Sequence, residues 1–172
     1  VNAKEVASYC QDAGVRGLFI HGRTRVQGYS GAVDYQAIRE VKKALEIPVI
    51  ASGDIFSPQL AKKMFDETGC DGVLIARGAL SDPWIFKEIT EFLESGKIIA
   101  RPEVQQIAKV MMEHLDMCVD FYDEKNGVVI FRKFFAWYTK GFRKVRHLRE
   151  LSSRIKTRSQ MYEIIQESVG CQ

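Results

Sequence analysis

The chain has few cysteines and histidines, no long apolar run and no internal repeat or low-complexity tract in its 172 residues. Each absence narrows what it can be. Cys10, Cys70, Cys118 and Cys171 lie far apart, with no CxxC pair. That spacing offers neither a zinc knuckle nor a disulfide framework, so free thiols in a reducing cytoplasm are expected. His114 and His147 have no carboxylate or cysteine at ligand spacing, and no metal site is expected. No apolar stretch approaches the ~20 residues a membrane helix needs, and no signal-peptide pattern is visible. The length suits about one domain with a small appendage. It falls short of the roughly 250 residues of an eight-stranded α/β barrel.

What is present is strand-and-helix grammar. Three short apolar runs each end in polar residues: Gly17–Ile20 before His21-Gly22-Arg23-Thr24-Arg25, Pro48–Ala51 before Ser52-Gly53-Asp54-Ile55, and Gly72–Ile75 before Ala76-Arg77-Gly78-Ala79-Leu80. The steps from Ile20 to Val49 and from Ile50 to Ile75 are 29 and 25 residues, and each suits one βα unit. Continuous apolar runs are what strands covered on both faces require. The spacing predicts parallel strands at about 17–21, 48–52 and 72–76. Helices are expected at about 2–13 (burying Val6, Tyr9 and Cys10), 34–45 (Ile38, Val41, Leu45) and 57–67 (Leu60, Met64, Phe65), with a short one from Asp82-Pro83 to about Leu93. Asp34 and Ser57 are the expected N-caps, and Pro58 marks a first helical position. The segment Val26–Val33, rich in Gly and Ser, reads as an exposed loop.

After a linker from Gly96 to Pro102 the strand pattern stops. Val104, Ile107, Ala108, Met111, Leu115, Cys118 and Tyr122 fall at helical spacing. A break is expected at Asn126-Gly127. A second helix over 128–140 carries Phe131, Phe134, Phe135 and Tyr138 on one side, and two more follow at 144–151 and 155–168. The expected fold is α/β plus all-α: the last three βα units of a TIM-type (β/α)8 barrel over residues 1–95, then a small helical bundle over 102–172. We expect the first part of that barrel to precede this chain.

The net charge of +3 hides a split. Residues 131–158 hold ten Lys or Arg and one acid, Glu150, leaving −6 for the rest. Such a run is either a solvated face or a polyanion-binding surface, and its single sign favours the second. Arg132, Lys133, Trp137 and Lys140 can share the face opposite the aromatic stripe. Basic groups around a ring suit an RNA backbone with a stacked base, although core packing is the favoured role for the Trp137 ring itself.

The polar strand ends hold the candidate site. Loops after the strands' carboxyl ends bind ligands in parallel α/β folds. Arg77-Gly78 offers a forked charge and close backbone approach, which suit phosphate. Asp54 can bind a sugar hydroxyl or cap its own loop. His21 can donate to a phosphate or carbonyl, or bond backbone in the core. Arg23 and Arg25 make a second basic spot on the same rim.

These strand-end motifs, with Pro83-Trp84-Ile85-Phe86, Arg132-Lys133, Ala136-Trp137-Tyr138 and Lys140-Gly141, resemble the tRNA-dihydrouridine synthases, and among them the bacterial B-type branch. The resemblance covers nearly all of the chain. It implies enzymes that reduce uridines of tRNA to 5,6-dihydrouridine with FMN and NADPH, a cysteine serving as general acid. It implies FMN contacts from His21, Ser52, Gly53, Asp54, Ala76 and Arg77, with Arg77 at the phosphate. It implies tRNA contacts from the helical part, where we place Arg132, Lys133, Lys140 and Arg143, together with Arg23 and Arg25. The family usually has Asn at the position of Ser52, so backbone contacts are expected there. None of the four cysteines matches the family's catalytic motif, so no catalytic residue is assigned within this chain. The general acid is expected in an amino-terminal half, and this part alone is expected to be inactive and to self-associate. Another FMN-dependent barrel oxidoreductase would share the phosphate rim but needs no basic appendage. A non-catalytic RNA-binding module is the other reading.

Overall fold

Each apolar run forms a strand: β1 (Leu18–His21), β2 (Val49–Ser52) and β3 (Gly72–Leu74). The computed structural model describes residues 2–171; Val1 and Gln172, the outer ends of the two expected domains, lie outside them. The strands pair in parallel in the order β1-β2-β3, as expected when a helix carries the chain back between strands. Leu18 stands opposite Val49 and His21 opposite Ser52. Ser52 stands opposite Leu74. The register therefore brings the polar strand ends level.

Helix α1 (Ala3–Asp12) precedes β1, α2 (Tyr35–Ala44) and α3 (Pro58–Thr68) connect the strands, and α4 (Ile85–Ser95) follows. The caps are those the sequence predicts. Asp34 accepts from the Ala37 N–H at 2.8 Å and Ser57 from the Leu60 N–H at 3.3 Å. Strand alternation turns Ile20, Val49 and Ala51 toward the helices, where Ile38, Val41 and Met64 are at most 1% exposed. Burial of each such large side chain contributes about 1.5–3 kcal/mol. Phe19 and Leu74 point to the other face and are 69% and 41% exposed.

Three local expectations are corrected. Val6 and Tyr9 of α1 are exposed, and Ala7 is the buried residue, packed with Val41, Leu45 and Val49. A small side chain at that contact lets the helix lie close. In α3, Leu60 and Phe65 are half-buried, while Ala61 and Met64 fill the core. β3 ends at Leu74 rather than 76, because a 3-10 turn, Arg77–Ala79, follows almost at once.

The chain divides into two compact units: residues up to 79 with 83–99, and residues 80–82 with those from 100 onward. Leu80–Asp82, placed in the first domain by the sequence pattern, thus packs with the second. The second unit is helical. Its main element, α5 (Val104–Tyr138), turns at Asp123, where φ is 69° and ψ 167°. The break lies there and not at Asn126-Gly127, because Asp123 Oδ1 accepts from the Asn126 N–H at 2.9 Å and restarts the helix. The two arms double back on each other: a Cβ on Gly127 would sit 2.5 Å from the Cys118 carbonyl oxygen. Only glycine permits that approach. Met111, Leu115, Phe131 and Phe135 from α5, Leu148 from α6 (Arg146–Ser152), and Met161 and Ile165 from α7 (Arg158–Gly170) are fully buried. Tyr122, expected inside, is 45% exposed. Among the described residues no helix is long and apolar enough to cross a membrane.

Candidate functional site

The six residues expected to hold a cofactor (His21, Ser52, Gly53, Asp54, Ala76 and Arg77) all line one pocket at the carboxyl ends of the strands. Its volume is about 90 Å³. That is well below the ~300–1,000 Å³ of pockets that enclose a whole organic ligand. It suits one compact polar group, such as the end of a longer molecule.

Strand register sets the first contact. His21 Nδ1 lies 3.0 Å from Ser52 Oγ, and Ser52 Oγ donates to the Ile20 carbonyl at 3.3 Å. A hydroxyl has one proton. With that proton on Ile20, Ser52 accepts from His21 Nδ1–H, and the network so assigned leaves His21 Nε2 for a ligand.

Asp54 forms the centre. Its backbone is in the left-handed region, φ 50°, and its carboxylate receives two guanidinium groups. Arg23 Nη1 donates to Oδ1 at 3.1 Å and Arg23 Nη2 to Oδ2; Arg77 Nη2 donates to Oδ1 at 2.5 Å. The Arg23 hydrogen bonds hold the Asp54 carboxyl below the usual carboxylate range against the opposing cost of burial, aided by the charges of Arg23, Arg77 and His21. Asp54 in turn raises Arg23. Arg23 also donates to the Gly31 carbonyl, from Nε at 3.1 Å and Nη2 at 2.7 Å. Its side chain is 2% exposed. The sequence pattern assigned Arg23 to RNA. The structure buries it, committed to the pocket's own frame, while Arg25 is exposed.

Arg77 is the open charge of the pocket, 39% exposed. Its guanidinium lies 4.2 Å from the Tyr29 ring centre and 5.5 Å from that of Phe56. Sequence reasoning missed both rings. The available signal was an aromatic residue between Gly28 and Gly31 in a loop otherwise small and polar. Gly78 is needed where it stands, because a Cβ there would lie 2.1 Å from the Ile55 carbonyl oxygen. None of Cys10, Cys70, Cys118 or Cys171 lines this pocket.

In the helical unit the basic run divides by role. Arg132 donates to the Ile155 carbonyl, from Nε at 3.0 Å and also from Nη2. Arg149 donates to Thr139 Oγ1 at 3.1 Å and to the Thr139 carbonyl. These two charges satisfy backbone oxygens between helices. Lys133, Lys140 and Arg143 are exposed. Trp137 is half-buried and meets Phe134 edge to face at 5.4 Å. His114 sits among Phe131, Phe134 and Tyr138, with Nδ1 3.2 Å from the Tyr138 hydroxyl, and burial lowers its pKa. His147 Nε2 lies 3.4 Å from a Glu167 carboxylate oxygen.

The chain thus combines a parallel α/β unit, with an arginine-centred pocket at its strand ends, and a helical unit that carries the basic run. Known proteins sharpen that picture. A family model for dihydrouridine synthases matches residues 1–170, and the chain belongs to that family. It is 40% identical over 156 residues to the tRNA-dihydrouridine synthase B of Xanthomonas axonopodis pv. citri, covering 91% of this chain and 47% of that protein. It is 38% identical over 165 residues to the tRNA-dihydrouridine synthase B of Shewanella oneidensis, covering 96% and 51%. A probable tRNA-dihydrouridine synthase of Rickettsia conorii is 39% identical over 140 residues, covering 81% and 42%. The chain thus spans about half the length of the curated relatives it matches.

Proposed function

We propose that this chain is the carboxyl-terminal part of a B-type tRNA-dihydrouridine synthase, holding the phosphate end of FMN in its first unit and tRNA on its second. The observation that carries the reading is the convergence of His21, Ser52, Gly53, Asp54, Ala76 and Arg77 on one pocket. The residues present suit a phosphate monoester. Arg77 keeps N–H donors beyond the one given to Asp54, and Gly78 brings backbone close. The small volume would suit the phosphate rather than the whole cofactor. When bound, FMN supplies two-electron redox chemistry, with NADPH as electron donor and the uracil of tRNA as acceptor.

This chain's part is to bind and orient. Arg77 anchors the phosphate, Asp54 and Arg23 hold Arg77, and His21 Nε2 offers a polar contact at the mouth. The first unit is read as the last three βα units of a (β/α)8 barrel, whose open face around Phe19 and Leu74 also favours self-association. The general acid comes from a cysteine outside these residues, consistent with relatives about twice as long. Lys133, Lys140, Arg143 and Arg25 are the proposed tRNA contacts. A tRNA substrate places the enzyme in the cytoplasm.

Two titrations test the reading. In the full-length enzyme, flavin fluorescence is expected to show FMN held more tightly than riboflavin, whereas this part alone is expected to retain little or no FMN. Gel shifts are expected to show tRNA affinity falling steeply with salt. A full-length enzyme indifferent to both FMN and tRNA would overturn it.

A further inference from the structure

We infer that Tyr29 is a positioning residue for the phosphate-monoester subsite at Arg77, acting through its ring face rather than its hydroxyl. The inference rests on the reading of Arg77 as the anion anchor. It deepens that reading by naming what keeps the anchor aimed.

Tyr29 lies on a surface loop and is 74% exposed, so it has no core role. One ring face nonetheless covers the Arg77 guanidinium at 4.2 Å, and the residue lines the pocket. A guanidinium over a ring gains from the ring's negative face while its in-plane N–H groups stay available. Asp54 takes one edge of the same fork through Nη2. A flat face and a fixed edge together define the plane of a long, otherwise flexible side chain. The donors left over then point where a bidentate phosphate contact needs them, with a smaller entropy cost of ordering on binding.

The loop is built to present this ring. Thr24 and Gln27 close its start, with the Thr24 N–H on Gln27 Oε1 at 2.8 Å and the Ser30 N–H on the Gln27 carbonyl at 2.9 Å. Arg23 grips its far end at the Gly31 carbonyl. The buried arginine that pins Asp54 thus also pins the loop bearing Tyr29. Both supports of Arg77 trace back to Arg23.

The test uses the full-length enzyme, of which this chain is read as the carboxyl-terminal part, with Tyr29→Ala, Tyr29→Phe and Arg77→Ala. FMN and riboflavin, which differ by the phosphate, are titrated by flavin fluorescence. Inorganic phosphate is titrated against the Arg77 side-chain N–H signal by NMR. In Tyr29→Ala, FMN affinity is expected to fall about three- to tenfold, with riboflavin unchanged and a smaller phosphate response at Arg77. Tyr29→Phe keeps the ring face and should behave as the unsubstituted chain. Two results overturn the role of Tyr29: unchanged FMN affinity in Tyr29→Ala while Arg77→Ala weakens it, or equal weakening of FMN and riboflavin. A phosphate response at Arg77 that depends on the ring, without preference for FMN over riboflavin, supports Tyr29 but sinks the flavin reading. No response of Arg77 to either phosphate or FMN sinks both.

Discussion

Arginine does opposite work in the two units. In the first, Arg23 and Arg77 converge on one carboxylate, and their geometry is set by hydrogen bonds and a stacked ring. In the second, ten basic residues share 28 positions with one acid; Arg132 and Arg149 satisfy carbonyls, while Lys133, Lys140 and Arg143 stand exposed. A compensated, aimed charge favours recognition of one group. A spread of charge of one sign favours a long polyanion and yields to salt.

The sharpest way to break this contrast is salt. The triple variant Lys133→Ala, Lys140→Ala and Arg143→Ala should lower the log–log salt slope of tRNA binding by about three, one for each phosphate-binding side chain removed. Specificity among tRNAs should change less than affinity. Gel shifts at several salt concentrations measure both, and an unchanged slope would reduce the run to a solvated face. The pocket should answer differently. In the full-length enzyme, Arg77→Ala should weaken FMN about tenfold or more, since a charge-assisted bond of ~1.5–3 kcal/mol is removed, and should exceed Asp54→Ala. A flavin titration in which Asp54→Ala is the worse variant would misplace the phosphate.

Smaller effects refine the two scaffolds. Asp34→Ala removes the α2 cap and should cost about 1 kcal/mol in denaturant unfolding of the first unit. The second unit should respond to pH through His114. Burial lowers its pKa from the ordinary 6.5, so the unfolded chain binds the proton more readily. Stability is therefore full above about 6.5 and falls as pH drops below it, levelling off under the folded value. His114→Gln should flatten that dependence in urea titrations between pH 7 and 5; an unaltered profile would exclude the histidine as its source.

Much of this was written locally. Asp34 and Ser57-Pro58 cap the helices they announce, since a cap needs only its own first turn. The strand runs and the polar residues at their ends were legible for a similar reason, because parallel pairing levels whatever follows each strand. Three things were not. Arg23 reads as a rim charge until Asp54, 31 residues on, claims it. The turn at Asp123 is hidden behind the stronger signal of Asn126-Gly127, whose glycine serves instead to let the arms touch. Tyr29 sits in a loop with no periodicity to read.

By itself, then, the sequence determined which segments are strands and helices, where α2 and α3 start, which residues cluster at the strand ends, and that positive charge gathers after residue 131. These follow from alternation, capping and composition, all short-range properties. Tertiary structure alone decided which arginine is buried and which stays open, that Tyr29 and Phe56 flank Arg77, and which basic residues of the helical unit are spent on carbonyls. Partners separated by 10 to 48 residues meet only when the chain has folded, and the free energy of a charge depends on what it meets there.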